Sequence, residues 1–154
     1  MKSKSYRLGV GIMLLNEKNK VFVGKRKDIK SDAWQMPQGG VNKGEKDEVA
    51  AFRELYEETG IKKVKIISKS KKFYKYNIPI SLKKKLWNGE YIGQKQKWFI
   101  MRFVGNEEEI NIKTKNAEFK EWKWIDINQL INVVVSFKLN VYKSIVKELN
   151  ILLN

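Results

Sequence analysis

Three glutamates, Glu54, Glu57 and Glu58, follow a PQGG turn within the stretch WQMPQGGVNKGEKDEVAAFRELYEETGI, residues 34–61. Placed on a helix with Glu54 at 0°, Glu58 falls near +40° and Glu57 near −60°, so the carboxylates share an arc about 100° wide. Leu55, Phe52, Tyr56 and Val49 fall between about +100° and +220°, the apolar side of the same helix. Arg53 lies one turn before Glu57, where it can brace that carboxylate. Like charges at such spacings repel, by a few tenths of a kcal/mol per exposed pair. A solvated acidic face is one explanation. A hard multivalent cation is the other, because carboxylate oxygens suit magnesium and convert the repulsion into attraction.

The rest of the chain favours the cation. It carries 32 Lys and Arg against 17 Asp and Glu, a formal charge of +15, so acid concentrated on one helix is unusual. Cysteine and histidine are both absent. That removes thiolate sites, disulfides, and the commonest zinc ligand and general base. Any metal must then be held by oxygen, which points to magnesium, manganese or calcium. The basic excess fits a polyanionic partner or a phosphate chain, and also fits lysine-rich compositional drift. Arginine occurs only at Arg7, Arg26, Arg53 and Arg102, which marks those positions for bidentate recognition of phosphate or carboxylate.

Elements able to position these residues can be read along the chain. Segment 6–15 reads as a buried strand and 21–26 as its hairpin partner. Segment 27–44 reads mostly as loop, with Pro37, Gly39, Gly40 and Gly44. A helix is expected over about 46–59, stopped by Gly60. Further strands are expected at 63–69, 72–77, 96–104 and 121–125, the last with Trp122 and Trp124 on one face. A closing helix over about 137–152 would bury Val141, Ile145, Leu149 and Leu152. The 154 residues suit one domain, 1–154, a mixed sheet flanked by helices. The start MKSKSYRLGVGIMLLNEK has a basic end and a short apolar run but no small-x-small cleavage site, and LGVGIMLL suits a buried strand. With no apolar run long enough to span a bilayer, a cytoplasmic protein without membrane contact is expected.

Gly39, Glu45, Arg53, Glu54, Leu55, Glu57, Glu58, Gly60 and Ile61 occupy every fixed position of G-x5-E-x7-R-E-U-x-E-E-x-G-U, where U is aliphatic. This resembles the Nudix box, here 39–61. YRLGVGIML, WQMPQGG, GQKQKWFIMRF at 93–103, EFKEWKW at 118–124 and VVVSFK at 133–138 extend the likeness to bacterial RNA pyrophosphohydrolases, also described as dinucleoside polyphosphate hydrolases. Two departures stand out: Met36 where an aromatic is common, and KDIKSDA between Arg26 and Trp34, longer by a couple of residues.

The resemblance implies a Nudix α/β/α sandwich and a hydrolase of phosphoric anhydride bonds dependent on Mg2+ or another divalent cation such as Mn2+. It implies Gly39, through its carbonyl, with Glu54, Glu57, Glu58 and Glu118 as metal ligands. The attacking water would be deprotonated by Glu57, Glu58 or Glu118, among which the sequence does not choose. Arg53 would orient a glutamate, and Glu45 would tie loop to helix. Arg7, Arg26, Tyr76 and Lys138 align with phosphate or base contacts, and Phe137 with a ring that stacks on a base. Each has a plainer alternative: Phe137 as core, Arg7 and Arg26 lying along strands, Lys138 as one more surface lysine. Trp34 fits a core plug or a ligand contact, and GQKQK a phosphate path or a polar strand start. The implied substrate is 5′-triphosphorylated RNA, trimmed to a monophosphate to promote decay. Dinucleoside polyphosphates are the alternative, a non-catalytic RNA- or nucleotide-binding module the third reading, and a monomer the expected state.

Overall fold

The computed structural model describes residues 5–28, 30–83 and 86–153. Strand β1 (Ser5–Leu15) lies at the centre of a seven-stranded mixed sheet. It pairs antiparallel with β2 (Val21–Arg26) and runs parallel to β6 (Tyr91–Phe103) along its whole length. Beyond them lie β4 (Val64–Lys69) beside β6 and β7 (Phe119–Ile125) beside β2, giving the order β4-β6-β1-β2-β7. Two short strands join off this path: β3 (Gln38–Gly40) on β1, and β5 (Tyr74–Asn77) on β6.

Helix α1 (Asp47–Thr59) covers one face of the sheet. Ala50, Ala51 and Leu55 pack there on Val10, Ile12, Phe99 and Met101. Helix α4 (Leu139–Leu153) covers the other, burying Val141, Tyr142, Ile145 and Leu149 against Met13, Trp98 and Ile100. Between them in the chain lie two single-turn helices, α2 (Ile80–Lys83) and α3 (Leu130–Val133). The result is the expected sandwich of helix, mixed sheet and helix. No helix among the described residues is long and apolar enough to cross a membrane.

Segment 27–44 is not all loop. Gln38–Gly40 pairs antiparallel with Gly9–Gly11, and Gln35 bridges Gly24. The facing glycines permit it: a Cβ on Gly9 would strike Gln94 and the Gly39 carbonyl, and one on Gly11 would overlap the Trp98 indole. The loop is also pinned from the far layer, where the buried Tyr142 hydroxyl accepts the Met36 N–H at 2.7 Å. Met36 itself is fully buried, so it packs as an aromatic would.

Three expectations need correction. On the closing helix Leu152 is exposed and Tyr142 is buried in its place, because the last turn runs past the sheet. β6 begins five residues before the expected 96, since its polar start pairs with β5 and β1. On α1, Val49, Phe52 and Tyr56 face outward, while Glu58 and Thr59 are buried with Ala50, Ala51 and Leu55. The small alanines let the helix press on the sheet with its carboxylate side turned inward. Gly60, at φ 71°, ends the helix by donating its N–H to the Tyr56 carbonyl at 2.8 Å.

Replacing Gly11 tests this close packing. Gly11→Ala should lower stability by about 1–3 kcal/mol, as overpacking of a filled core does, measured by urea denaturation.

Candidate active site

Arg53 organises the loop before the helix. Its Nε and Nη2 donate to the two Glu45 carboxylate oxygens at 2.8 and 2.9 Å, and Nη2 also donates to the Gly40 carbonyl at 2.8 Å. Nη1 donates to Glu54 Oε1 at 2.9 Å and Glu57 Oε2 at 3.2 Å. The Arg53 bonds hold the Glu45 carboxyl far below the usual carboxylate range, at about 2. Glu45 completes the tie by accepting the Asn42 N–H at 3.0 Å. These bonds join the loop to the helix and hold the Glu54 and Glu57 carboxylates.

Gly39 sits directly on Glu54. A Cβ there would overlap the Glu54 carboxyl carbon, so only glycine lets the carboxylate lie against this turn. Burial raises the Glu54 pKa, with Arg53 opposing. Glu58 is the outlier. It is 1 % exposed, and neither carboxylate oxygen has a hydrogen-bond donor. Burial, then the adjacent Glu118 carboxylate, pushes its pKa well above the ordinary value. Glu118 reaches this point from the residue preceding β7, its carbonyl accepting the Lys27 N–H at 2.9 Å.

The implied metal ligands therefore divide into two sets. Glu58 and Glu118 face one another, while Glu54 and Glu57 are held by Arg53. Among the described residues no three acidic side chains converge on one point. The donor chemistry nevertheless fits a divalent cation. A buried carboxylate without a donor, beside a second carboxylate, is a strongly unfavourable arrangement that a hard ion would relieve.

Next to this acidic group a cleft of about 290 Å³ opens. All five residues expected to touch substrate line it, together with Gly39 and Glu118. Arg7, from β1, lies over Gly40 with its guanidinium 5.4 Å from the Trp87 ring. Arg26 closes β2 and is gripped by Asp28, Nε to Oδ1 at 2.8 Å and Nη2 to Oδ2 at 2.6 Å. Tyr76 is buried on β5, its hydroxyl accepting from Gln38 Nε2 at 2.8 Å, and its ring lies 5.8 Å from that of Phe137. Phe137 and Lys138 occupy the tight turn before α4. Lys138 is buried, donates to Gln35 Oε1 at 3.2 Å and lies over the Tyr76 ring. Burial, reinforced by Arg26, drags its pKa down to about 7. It is therefore not one more surface lysine. Trp34 also lines the cleft, with Lys25 and Lys123 at 5.4 and 4.3 Å from its ring.

Gln94 of GQKQK, backed by Gln96, and Gln38, which the sequence did not single out, complete the wall. Trp98 Nε1 donates to Gln96, Gln96 to Gln94, and Gln38 to both Gln94 and Tyr76. Of these Gln94 and Gln38 line the cleft, and Gln38 Oε1 and Gln35 Nε2 are buried without partners. Trp87 and Asp28 are the other omissions. Their partners lie 80 and 2 residues away, and only the extra length of KDIKSDA hinted at Asp28.

Residues 5–145 match the family model described as the NUDIX domain. The chain belongs to the Nudix family. Over 148 residues, 96 % of the chain, this Nudix domain is 51 % identical to an RNA pyrophosphohydrolase of Rickettsia canadensis (strain McKiel), of which it covers 92 %. Over 143 residues it is 52 % identical to an RNA pyrophosphohydrolase of Rickettsia conorii, covering 93 % of the chain and 89 % of that protein. Among solved structures it is similar to the E. coli dihydroneopterin triphosphate pyrophosphohydrolase, with a TM-score of 0.74 at 21 % identity over 94 % of this chain and 99 % of that one. It is also similar to a C. elegans Ap4A hydrolase, TM-score 0.63 at 16 % identity over 92 % and 98 %. At those identities the likeness is one of fold. Divalent-metal dependence is general to the Nudix family.

Glu58 gives a pH test. Because its pKa is raised on folding, the folded state binds more protons than the unfolded one above the ordinary carboxylate value, so stability falls as pH rises through that window. In metal-free buffer at neutral pH, Glu58→Gln should raise Tm by roughly 3 °C or more. Magnesium or manganese should raise the Tm of the wild type and do so much less in the variant, as followed by calorimetry.

Proposed function

We propose that this Nudix domain is an RNA pyrophosphohydrolase that cleaves the α–β anhydride of a 5′-triphosphorylated RNA, leaving a 5′-monophosphate and releasing pyrophosphate. The observation that carries the reading is the adjacency of the donor-starved Glu58–Glu118 pair to a cleft lined by Arg7, Arg26, Tyr76, Phe137 and Lys138. Identity above 50 % to RNA pyrophosphohydrolases over nearly the whole chain supports the same substrate class.

Glu54, Glu57, Glu58, Glu118 and the Gly39 carbonyl would hold Mg2+ or Mn2+, which when bound makes water a nucleophile at neutral pH and offsets phosphate charge. Arg7 and Lys138 then bind the phosphate chain, and burial strengthens each contact. Arg53 fixes the glutamates before substrate arrives, so little reorganisation accompanies reaction. Phe137 offers its face to the first bases, with the Arg26 plane nearby; such stacking contributes about 1–3 kcal/mol per base. Glu57, Glu58 or Glu118 accepts the proton of the attacking water. Lys138, near neutrality in its pKa, is suited to take up a proton as a phosphate chain enters.

Product analysis on RNA labelled at the β- or γ-phosphate tests the reading. Labelled pyrophosphate should appear in both cases. A thousandfold higher kcat/KM on diadenosine tetra- or pentaphosphate would transfer the function to those compounds, and binding without hydrolysis in magnesium would make the chain a binding module. Glu57→Gln should cut kcat about 10²-fold or more, through loss of a metal ligand. Phe137→Ala should raise KM for RNA while circular dichroism stays native; an unfolded variant would return Phe137 to the core.

A further inference from the structure

The cleft occupies one face of strands β1, β6 and β5, and the reverse face of the same strands is basic and aromatic. Side chains alternate across a strand, so the cleft residues Arg7, Gln94 and Tyr76 send their neighbours to the other side. Those neighbours include Leu8, Lys95 and Lys75. Lys75 stands directly opposite Lys95 in the antiparallel β5–β6 register, an arrangement of like charges that costs stability. Lys95 and Lys97 lie 4.5 and 4.6 Å from the exposed Phe73 ring, and Lys75 lies 5.1 Å from that of Tyr6. Among the described residues, none of these three lysines pairs with a carboxylate. The nearby acid Asp47 is taken by Lys69 at 2.8 Å.

We infer that this face, built on Lys75, Lys95, Lys97, Phe73 and Tyr6, is a second RNA contact, which receives the strand downstream of the 5′ end as it passes around β5. Charge complementarity identifies the occupant. Lysines without a carboxylate partner, of which Lys97 donates to the Ser70 and Lys71 carbonyls at 3.3 and 2.9 Å, stand beside one another and beside aromatic rings, and so supply the cations and ring surface of sequence-tolerant single-strand binding. Among the described residues β5 pairs only with β6, so one strand separates the two faces at this edge. The inference deepens the proposed RNA activity and rests on it for the course of the strand. It gives the +15 charge a place to act that the cleft, with its own glutamates, does not.

The test compares wild type with the triple variant Lys75→Ala, Lys95→Ala, Lys97→Ala, and with its Lys→Arg counterpart. Substrates are a 5′-triphosphorylated trinucleotide and a strand of roughly 15 nucleotides, with a 5′-hydroxyl strand of the same length for binding alone. The alanine variant should keep its Tm and its kcat/KM on the trinucleotide, and fall about tenfold on the long strand. Its plot of log affinity against log salt for the 5′-hydroxyl strand should be shallower by about 2, because each phosphate that a lysine neutralises adds about 0.7 to the slope. The arginine variant should restore both. Equal activity on long and short substrates in wild type and alanine variant, with an unchanged salt slope, would overturn the inference. So would lysine-dependent binding to anionic phosphatidylglycerol vesicles without lysine-dependent RNA binding. If wild type hydrolyses neither RNA, the proposed activity fails, and the 5′-hydroxyl strand still decides whether the face binds RNA.

Discussion

All five N–H bonds of Arg53 point at acceptors, and the catalytic half of the molecule depends on that one side chain. An arginine has five donors in a rigid fork, so full use fixes its position relative to every partner. Its partners are Glu45 and Gly40 from the loop and Glu54 and Glu57 from its own helix. The guanidinium thus screens two helical carboxylates from each other and anchors the turn that carries Gly39. Glu58 alone of the helical three is left without a donor, and it is the one driven into the interior. The structure concentrates its electrostatic cost at a single point, where an incoming ion would have the most effect.

The sandwich architecture follows from this arrangement. α1 can turn acids inward only because Ala50 and Ala51 let it approach the sheet closely while Leu55 supplies the apolar contact. On the far side, α4 holds the loop before the box through the Tyr142 hydroxyl. The two helical layers therefore act on one short segment, residues 35–40, from opposite faces of the sheet. That segment carries the Gly39 carbonyl and the Gln38 amide into the same cleft.

Much of this was legible in the chain. Period-two and period-3.6 patterns located β1, β2, β4 and both long helices within a few residues, because their apolar faces are continuous. Spacing located Arg53 and the glutamates, since those bonds are local. The outward turn of Val49, Phe52 and Tyr56 was not legible: a helical wheel reveals two faces and not which one meets the sheet, and here the alanines decide. Strand β3 was hidden because its three residues pair through glycines on a strand some thirty positions earlier. The glutamine relay from Trp98 to Tyr76 was hidden at its far end: Trp98, Gln96 and Gln94 alternate along β6, but Gln38 meets Gln94 and Tyr76 only through the pairing of the strands.

The Asp28 clamp has a consequence for how the cleft treats charge. Arg26 arrives with its Nε–Nη2 edge already engaged by a carboxylate. It therefore adds a flat surface held in place, with part of its positive charge offset by Asp28. Attraction for an anionic tail is then shared among Arg7, Lys138 and the remaining Arg26 charge, while the fixed Arg26 plane offers a shelf suited to a ring. A ligand with its anion and its ring at the wrong separation would satisfy one wall and miss the other, which makes the clamp a ruler as well as a restraint.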